Sequence, residues 1–164
     1  MPNEPGTLAH TFSRMMFRGM DKMRHRDAFD VGPATAGSFA GFENYRQIVL
    51  VTFKKSGEAM PSPINHGVSD GRLYVRTDAS TGKVKRIRNN PNVLVVASNL
   101  RGRPSGPVVA GVARILPEAE HAHADAVIAA NWSAPMKLFE RSLDYGSQTM
   151  GMPIAFIEIT PAQG

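Results

Sequence analysis

Apolar positions along the chain follow two different periods. From Leu8 to Met23 they recur every three or four residues, at Leu8, Phe12, Met15, Met16, Gly19, Met20 and Met23. His10, Arg14, Arg18, Lys22, Arg24, His25 and Arg26 take most of the other places. That period predicts an amphipathic helix, basic on one side and rich in methionine on the other. From Gln47 onward the pattern becomes that of strands. Gln47–Phe53 is a β-branched apolar run; Lys54-Lys55-Ser56-Gly57 supplies a turn, after which strand pattern resumes over Glu58–Val68. Ser69-Asp70-Gly71 predicts a second turn and Arg72–Thr77 a third strand.

Between Thr77 and Pro91 the helical period returns briefly, with Val84 and Ile87 apolar and Ser80 or Thr81 available as a cap. Asn92–Ser98 predicts a strand, Arg101–Pro107 a Gly/Pro-rich loop, Val108–Leu116 a strand, and Pro117–Ala130 a helix. A further short helix is expected over Ala134–Tyr145, and Pro153–Thr160 closes the chain as a strand. Asp30–Gly41 is small and turn-prone, so it is expected to link an N-terminal helical segment (1–41) to the main body (42–164). Strands close in sequence, tight turns and one helical crossing predict a mainly β, α+β fold: an antiparallel sheet curled into a barrel with a few peripheral helices.

With 164 residues and 42% hydrophobic content, the chain can bury a core as one domain. The absence of cysteine excludes disulfides and thiolate chemistry. No apolar run reaches about 18 residues and the N-terminus lacks the core of a secretory signal, so a soluble, cytoplasmic protein is expected. A net charge of +5 points to an anionic partner, and its kind depends on where the charge sits.

Five cations, Arg76, Lys83, Lys85, Arg86 and Arg88, fall within thirteen residues around a strand-to-helix junction, with Ser80, Thr81 and Gly82 at the helix start. Amide groups there, the positive helix end, hydroxyls and a lysine together can cradle a phosphate. A solvated basic helix face is the competing reading. Gly82, which admits close approach to the backbone, and cations on both sides of the helix start weigh towards the anion site.

The stretch Gly71-Arg72-Leu73-Tyr74-Val75-Arg76-Thr77, with GKVKRIRNNP over residues 82–91 and then Val93, resembles the signature of the pyridoxamine-phosphate-oxidase-like split β-barrels. Within them it is most similar to the actinobacterial flavin/deazaflavin oxidoreductases that use coenzyme F-420. The similarity runs from Tyr45 to Leu116, with a weaker match at the final strand. The resemblance implies a homodimer with the cofactor in a groove at the dimer interface. Lys83 and Arg76 would contact its phosphate, with Thr77 and Ser80 as hydroxyl donors and Lys85 or Arg88 nearer the acidic tail. Pro61, Ser62, Pro63 and Ile64 match the strand whose backbone edges the ring system, and Arg103, Gly106 and Pro107 match a following loop. Two features depart from the family: Asn65 and His66 stand where many relatives carry an aromatic pair, and the methionine-rich helix is not part of the common core.

The activity so implied is hydride transfer from reduced deazaflavin to a small conjugated organic acceptor. FMN is the alternative cofactor, and a non-catalytic barrel carrying a cofactor, haem or a lipid-like ligand is the alternative class. Other candidates are weaker. Gly67-Val68-Ser69-Asp70-Gly71 fits the text of a nucleophile elbow but leads into a strand, so a hairpin turn is expected. His121 and His123, two apart on a helix, point in different directions. His66 is a possible proton donor or haem ligand, with a structural role the competing reading. Trp132 is read as a packing anchor. Residues 8–26 are read first as a lid, then as a contact for an anionic lipid surface; nucleic acid is least favoured, for want of interleaved aromatics.

Overall fold

The computed structural model describes residues 34–45, 47–99, 103–131 and 153–162. The helices expected over 8–23 and 134–145, and Trp132, lie outside the described residues.

Six strands, β1 (Gln47–Phe53), β2 (Ala59–Ser69), β3 (Arg72–Asp78), β4 (Asn92–Ser98), β5 (Pro104–Ile115) and β6 (Ile154–Pro161), close into one antiparallel barrel in the order β1-β2-β3-β6-β5-β4. Side chains alternate across each strand. Ile48 and Leu50, Leu73 and Val75, Val93 and Val95, Val109 and Ala113, and Ile157 and Ile159 point inward and form the main core. The opposite residues make two outer clusters. Val49, Val51, Val96 and Val108 cover one side, and Tyr74 and Phe156 join Leu116, Ala124 and Ile128 on the other.

Two helices complete the described body. α1 (Gly82–Asn89) follows β3 and turns Val84 and Ile87 into the barrel, Ile87 as part of the main core. α2 (His121–Ala130) lies on β2, β3 and β6. Its backbone runs so close to β2 that a Cβ at Gly67 would sit 2.6 Å from the Val127 carbonyl carbon and 2.8 Å from Ile128 Cα. Gly67 therefore opens the G-x-S-x-G text for a packing reason. The segment is a hairpin: Asp70 and Gly71 take φ 52° and 74°, the left-handed pair that a two-residue turn between twisted strands requires.

The sequence expectations need three corrections. The described part of the expected linker is not a spacer: Thr35 and Ala36 donate their backbone N–H to Val108 O, and Phe39 is 1% exposed in the main core beside Phe42. Two aromatic rings outweigh the surrounding small residues, because burying them gains more than chain freedom loses. β5 starts at Pro104, inside the expected loop 101–107, since Pro104 pairs with Ser98 across a register shift in which Gly/Pro content marks an irregular strand instead of a loop. The helix expected from Pro117 begins at His121, after a 3₁₀ turn over Glu118–Glu120.

Candidate functional site

β2 and β3 pair only from Ser69↔Arg72 to His66↔Val75. Beyond that point β2 is held by β1 alone, from Gln47↔Asn65 to Phe53↔Ala59, while β3 continues along β6 to Asp78↔Ile154. The barrel is thus split between Pro61–Asn65 and Arg76–Asp78. Proline has no N–H to give a ladder, so Pro61 and Pro63 must sit at the positions whose backbone groups face away from β1. Their carbonyls then point into the split without accompanying N–H groups. The edge accepts hydrogen bonds, and it cannot propagate a sheet. Pro61 and Pro63 side chains lie on the outer face with Val51 and Val49, their β1 partners; Ser62 and Ile64 alternate to the inner side, where Ile64 packs on the core.

On the other bank of the split, Thr77 points inward and is 9% exposed. Lys83, the second residue of α1 and equally enclosed, donates from Nζ to Thr77 Oγ1 at 3.3 Å. Thr81 precedes the helix but places no side-chain oxygen on its first amides, and the first turn holds no acidic residue. Thr81 instead donates its hydroxyl to Asp78 O at 2.9 Å, and Ser80 gives both its N–H and its hydroxyl to Asp78 Oδ1, at 2.7 and 2.6 Å. Asp78 thereby shapes the strand-to-helix turn, and the Ser80 hydroxyl hydrogen is engaged there. An ammonium, the Thr77 hydroxyl and a helix start without a side-chain cap make a donor set that fits a phosphate group.

The remaining expected residues separate. Arg76 is on the opposite face of β3 from Thr77: its guanidinium lies 5.8 Å from the centre of the Phe156 ring and 3.9 Å from Asp125 Oδ1 of α2. The structure does not bring Arg76 into the Lys83 cluster. Lys85 and Arg88 are exposed on the solvent side of α1. Arg103, just before β5, and Pro107 within it are exposed, and Gly106 is half-buried.

His66 is fully enclosed in the barrel interior, where its Nε2 lies 2.8 Å from Phe42 O, so that nitrogen carries the hydrogen. Burial pushes its pKa below the ordinary value, against smaller raising effects from the Phe42 hydrogen bond and the Glu43 charge. Its Nδ1 is buried with no hydrogen-bond partner. So placed, the ring braces the Phe39–Phe42 segment and does not face the split. Asn131 ties the same corner together by donating to Tyr45 O and His66 O at 3.0 and 2.9 Å. His121 reaches Leu116 O and His123 packs edge-on to Tyr74, so they diverge.

Sequence reading missed two things. Arg86 entered it only as one charge in five, yet its Nε donates to Thr52 Oγ1 at 2.7 Å and its Nη1 lies 2.6 Å from where a Gly82 Cβ would be. The four-residue interval between Gly82 and Arg86 was a signal that could have found it. Glu158 was unremarked in the final strand; it is 7% exposed and accepts from Tyr74 Oη at 3.0 Å and Arg114 at 3.2 Å, with Arg72 at 3.5 Å. Burial first, and then Glu158, raises the Tyr74 pKa.

No protein-family model matches the chain, and no curated protein does. Solved structures do. The chain is similar to an FAD-binding protein of Mesorhizobium loti (TM-score 0.51, 21% identity, 74% of this chain and 82% of that one). It is similar to a Clostridium acetobutylicum protein of the pyridoxinephosphate oxidase family, related to general stress protein 26 of B. subtilis (TM-score 0.50, 16% identity, 73% and 77%). A haem-binding protein of Mycobacterium smegmatis is also similar (TM-score 0.52, 14% identity, 81% and 53%). At these identities what is shared is architecture. The chain has the fold of the pyridoxamine 5'-phosphate oxidase-like split β-barrels.

Proposed function

We propose that the protein is an oxidoreductase that holds a phosphate-bearing deazaflavin, coenzyme F-420, along the split and serves hydride transfer to a small conjugated organic acceptor. The observation that carries this reading is Lys83, an ammonium enclosed beside Thr77 at a helix start with no acidic residue in its first turn. An ammonium and the positive end of a helix both favour a bound phosphate.

When bound, a reduced deazaflavin supplies a hydride from its ring. The chain's own part is binding, orientation and exclusion of water. Lys83, Thr77 and the first amides of α1 take the phosphate. The carbonyls of Pro61 and Pro63 offer acceptors to ring N–H groups, and their pyrrolidine rings offer an apolar border. Such chemistry requires no side-chain nucleophile.

FMN fits the same cradle and edge, and the FAD-binding protein of M. loti supports a flavin on this fold. The haem-binding protein of M. smegmatis keeps a carrier role in view, but His66 is enclosed and its Nε2 engaged, so a haem iron would need another ligand. A homodimer belongs to the proposal, since a ring lying on the outer edge of the split leaves one side for a second copy to cover. No helix among the described residues is long and apolar enough to cross a membrane. Contact of residues 8–26 with anionic lipid rests on sequence alone, and vesicle cosedimentation tests it.

The test of the main reading is parallel titration with coenzyme F-420 and with FMN, following ligand fluorescence. Micromolar or tighter binding of the deazaflavin with weak FMN binding is expected. The reverse preference moves the reading to FMN, and binding of neither removes it.

A further inference from the structure

Val49, Val51 and Val96 point out of the barrel, yet within a single chain they keep 0%, 2% and 0% of their surface in water. They belong to one apolar sheet face. Cross-strand pairing lines up Pro63, Val49, Val96 and Val108 in one row, and Pro61, Val51 and Leu94 in the next. The face therefore runs from the split edge of β2, across β1 and β4, to β5, a width of about 14 Å at three strand spacings. Among the described residues no helix lies over it. α2 packs on β2 at Gly67, on β3 and on β6. α1 meets β1 and β5 from the inward side, through Arg86 at Thr52 and Ile87 in the main core. An open sheet face leaves its valines in contact with water, so these require a cover from their own chain.

We propose that residues 8–23, which lie outside the described residues, dock as an amphipathic helix across this face of their own chain, methionine side inward. The place where the described chain begins favours them. Thr35 and Ala36 give their N–H groups to Val108 O, and Val108 gives its N–H to Thr35 Oγ1, so residues 1–33 join the described body at the β5 border of the same face. Residues 24–33 reach about 33 Å when extended, more than twice the width of the face, and a helix over 8–23 is about 24 Å long. The chemistry fits as well. Phe12, Met16 and Met20 recur on one side at helical spacing, and the flexible thioether of methionine packs readily on a layer of β-branched side chains. His10, Arg14 and Arg18, on the opposite side, then face solvent. Docked there, the helix borders Pro61 and Pro63, and with them the split.

The experiment uses the full chain. A benzophenone amino acid in place of Phe12, or of Met16, is photoactivated in a mixture of isotopically light and heavy protein, which separates crosslinks within a chain from those between copies. Crosslinks within one chain to residues 47–53, 92–98 or 104–110 are expected. Crosslinks mainly to residues 132–152, mainly between copies, or to no site on the barrel would overturn the docking. Thiol labelling gives a second readout, in a chain with no cysteine of its own. Val96→Cys, on the outer face, should label about tenfold or more faster when Met16→Asp and Met20→Asp are added, while Val95→Cys, in the main core, stays protected. An outer thiol that labels as slowly with the aspartates as without them would also overturn it. The crosslink needs no polar substitution, so it decides alone should the aspartates unfold the barrel.

Discussion

The ammonium of Lys83 stands 3.3 Å from the hydroxyl of Thr77, and each residue keeps only 9% of its surface in water. If that pair meets a phosphate, Lys83→Ala weakens cofactor binding by about 1–3 kcal/mol, and Thr77→Val by about 1 kcal/mol. Fluorescence titration reads both. Unchanged affinity in Lys83→Ala removes it from the site.

Gly67 has no room for a methyl group, because its would-be neighbours are backbone atoms of Val127 and Ile128 and cannot rotate away. Gly67→Ala should therefore destabilise the fold by about 3 kcal/mol, as α2 is lifted from β2. Urea unfolding checks this, and a loss under about 0.5 kcal/mol, the range of ordinary surface substitutions, would mean that α2 does not bear on β2 as described.

His66 makes stability depend on pH. Its folded pKa lies below the ordinary value because burial disfavours the charged ring. The unfolded chain therefore binds the proton more readily. The contribution is fully present above the unfolded pKa of about 6.5 and is lost as pH falls from there towards the folded pKa, at up to about 1.4 kcal/mol per pH unit. Melting temperatures measured between pH 8 and 5 should fall on the acid side in wild type, and less steeply in His66→Gln. Equal slopes would assign the acid loss to other groups.

Glu158 is an enclosed carboxylate satisfied by Tyr74, Arg114 and Arg72, which join β3, β5 and β6. Removing it leaves the phenol without its acceptor and the half-exposed arginines without their shared anion. Glu158→Ala should cost about 3 kcal/mol, and Glu158→Gln less, since the amide oxygen still accepts from Tyr74. Spectrophotometric titration gives a second readout: the Tyr74 pKa, raised by burial and by Glu158, should move down in Glu158→Gln.

Much of the barrel is legible one residue at a time. The apolar runs Gln47–Phe53 and Asn92–Ser98 read as strands, though with apolar residues on both faces they do not say that Ile48, Leu50, Val93 and Val95 turn inward. Asp70-Gly71 is a hairpin turn by its own dihedral preferences. The burial of Phe39 was not legible, because its neighbours are small and polar and only the open end of the barrel rewards its insertion. The grouping of cations was legible only as a total. Arg76 and Thr77 are adjacent in the chain, but a strand sends them to opposite faces, and α2, distant in sequence, supplies the Asp125 that takes Arg76.

By itself the sequence determined the strands, their turns, the short basic helix after β3 and the presence there of an anion-binding composition, since each depends on interactions within a few residues. Tertiary structure alone decided that the β2–β3 pairing ends at His66, that His66 turns into the core, and that Lys83 reaches Thr77 while Arg86 reaches Thr52. Those outcomes depend on partners far away in the chain: Thr52 reaches Arg86 across 34 residues, and Glu158 reaches Tyr74 across 84. Local periodicity carries no information about which distant backbone will arrive to meet a side chain; the closure of the barrel supplies it.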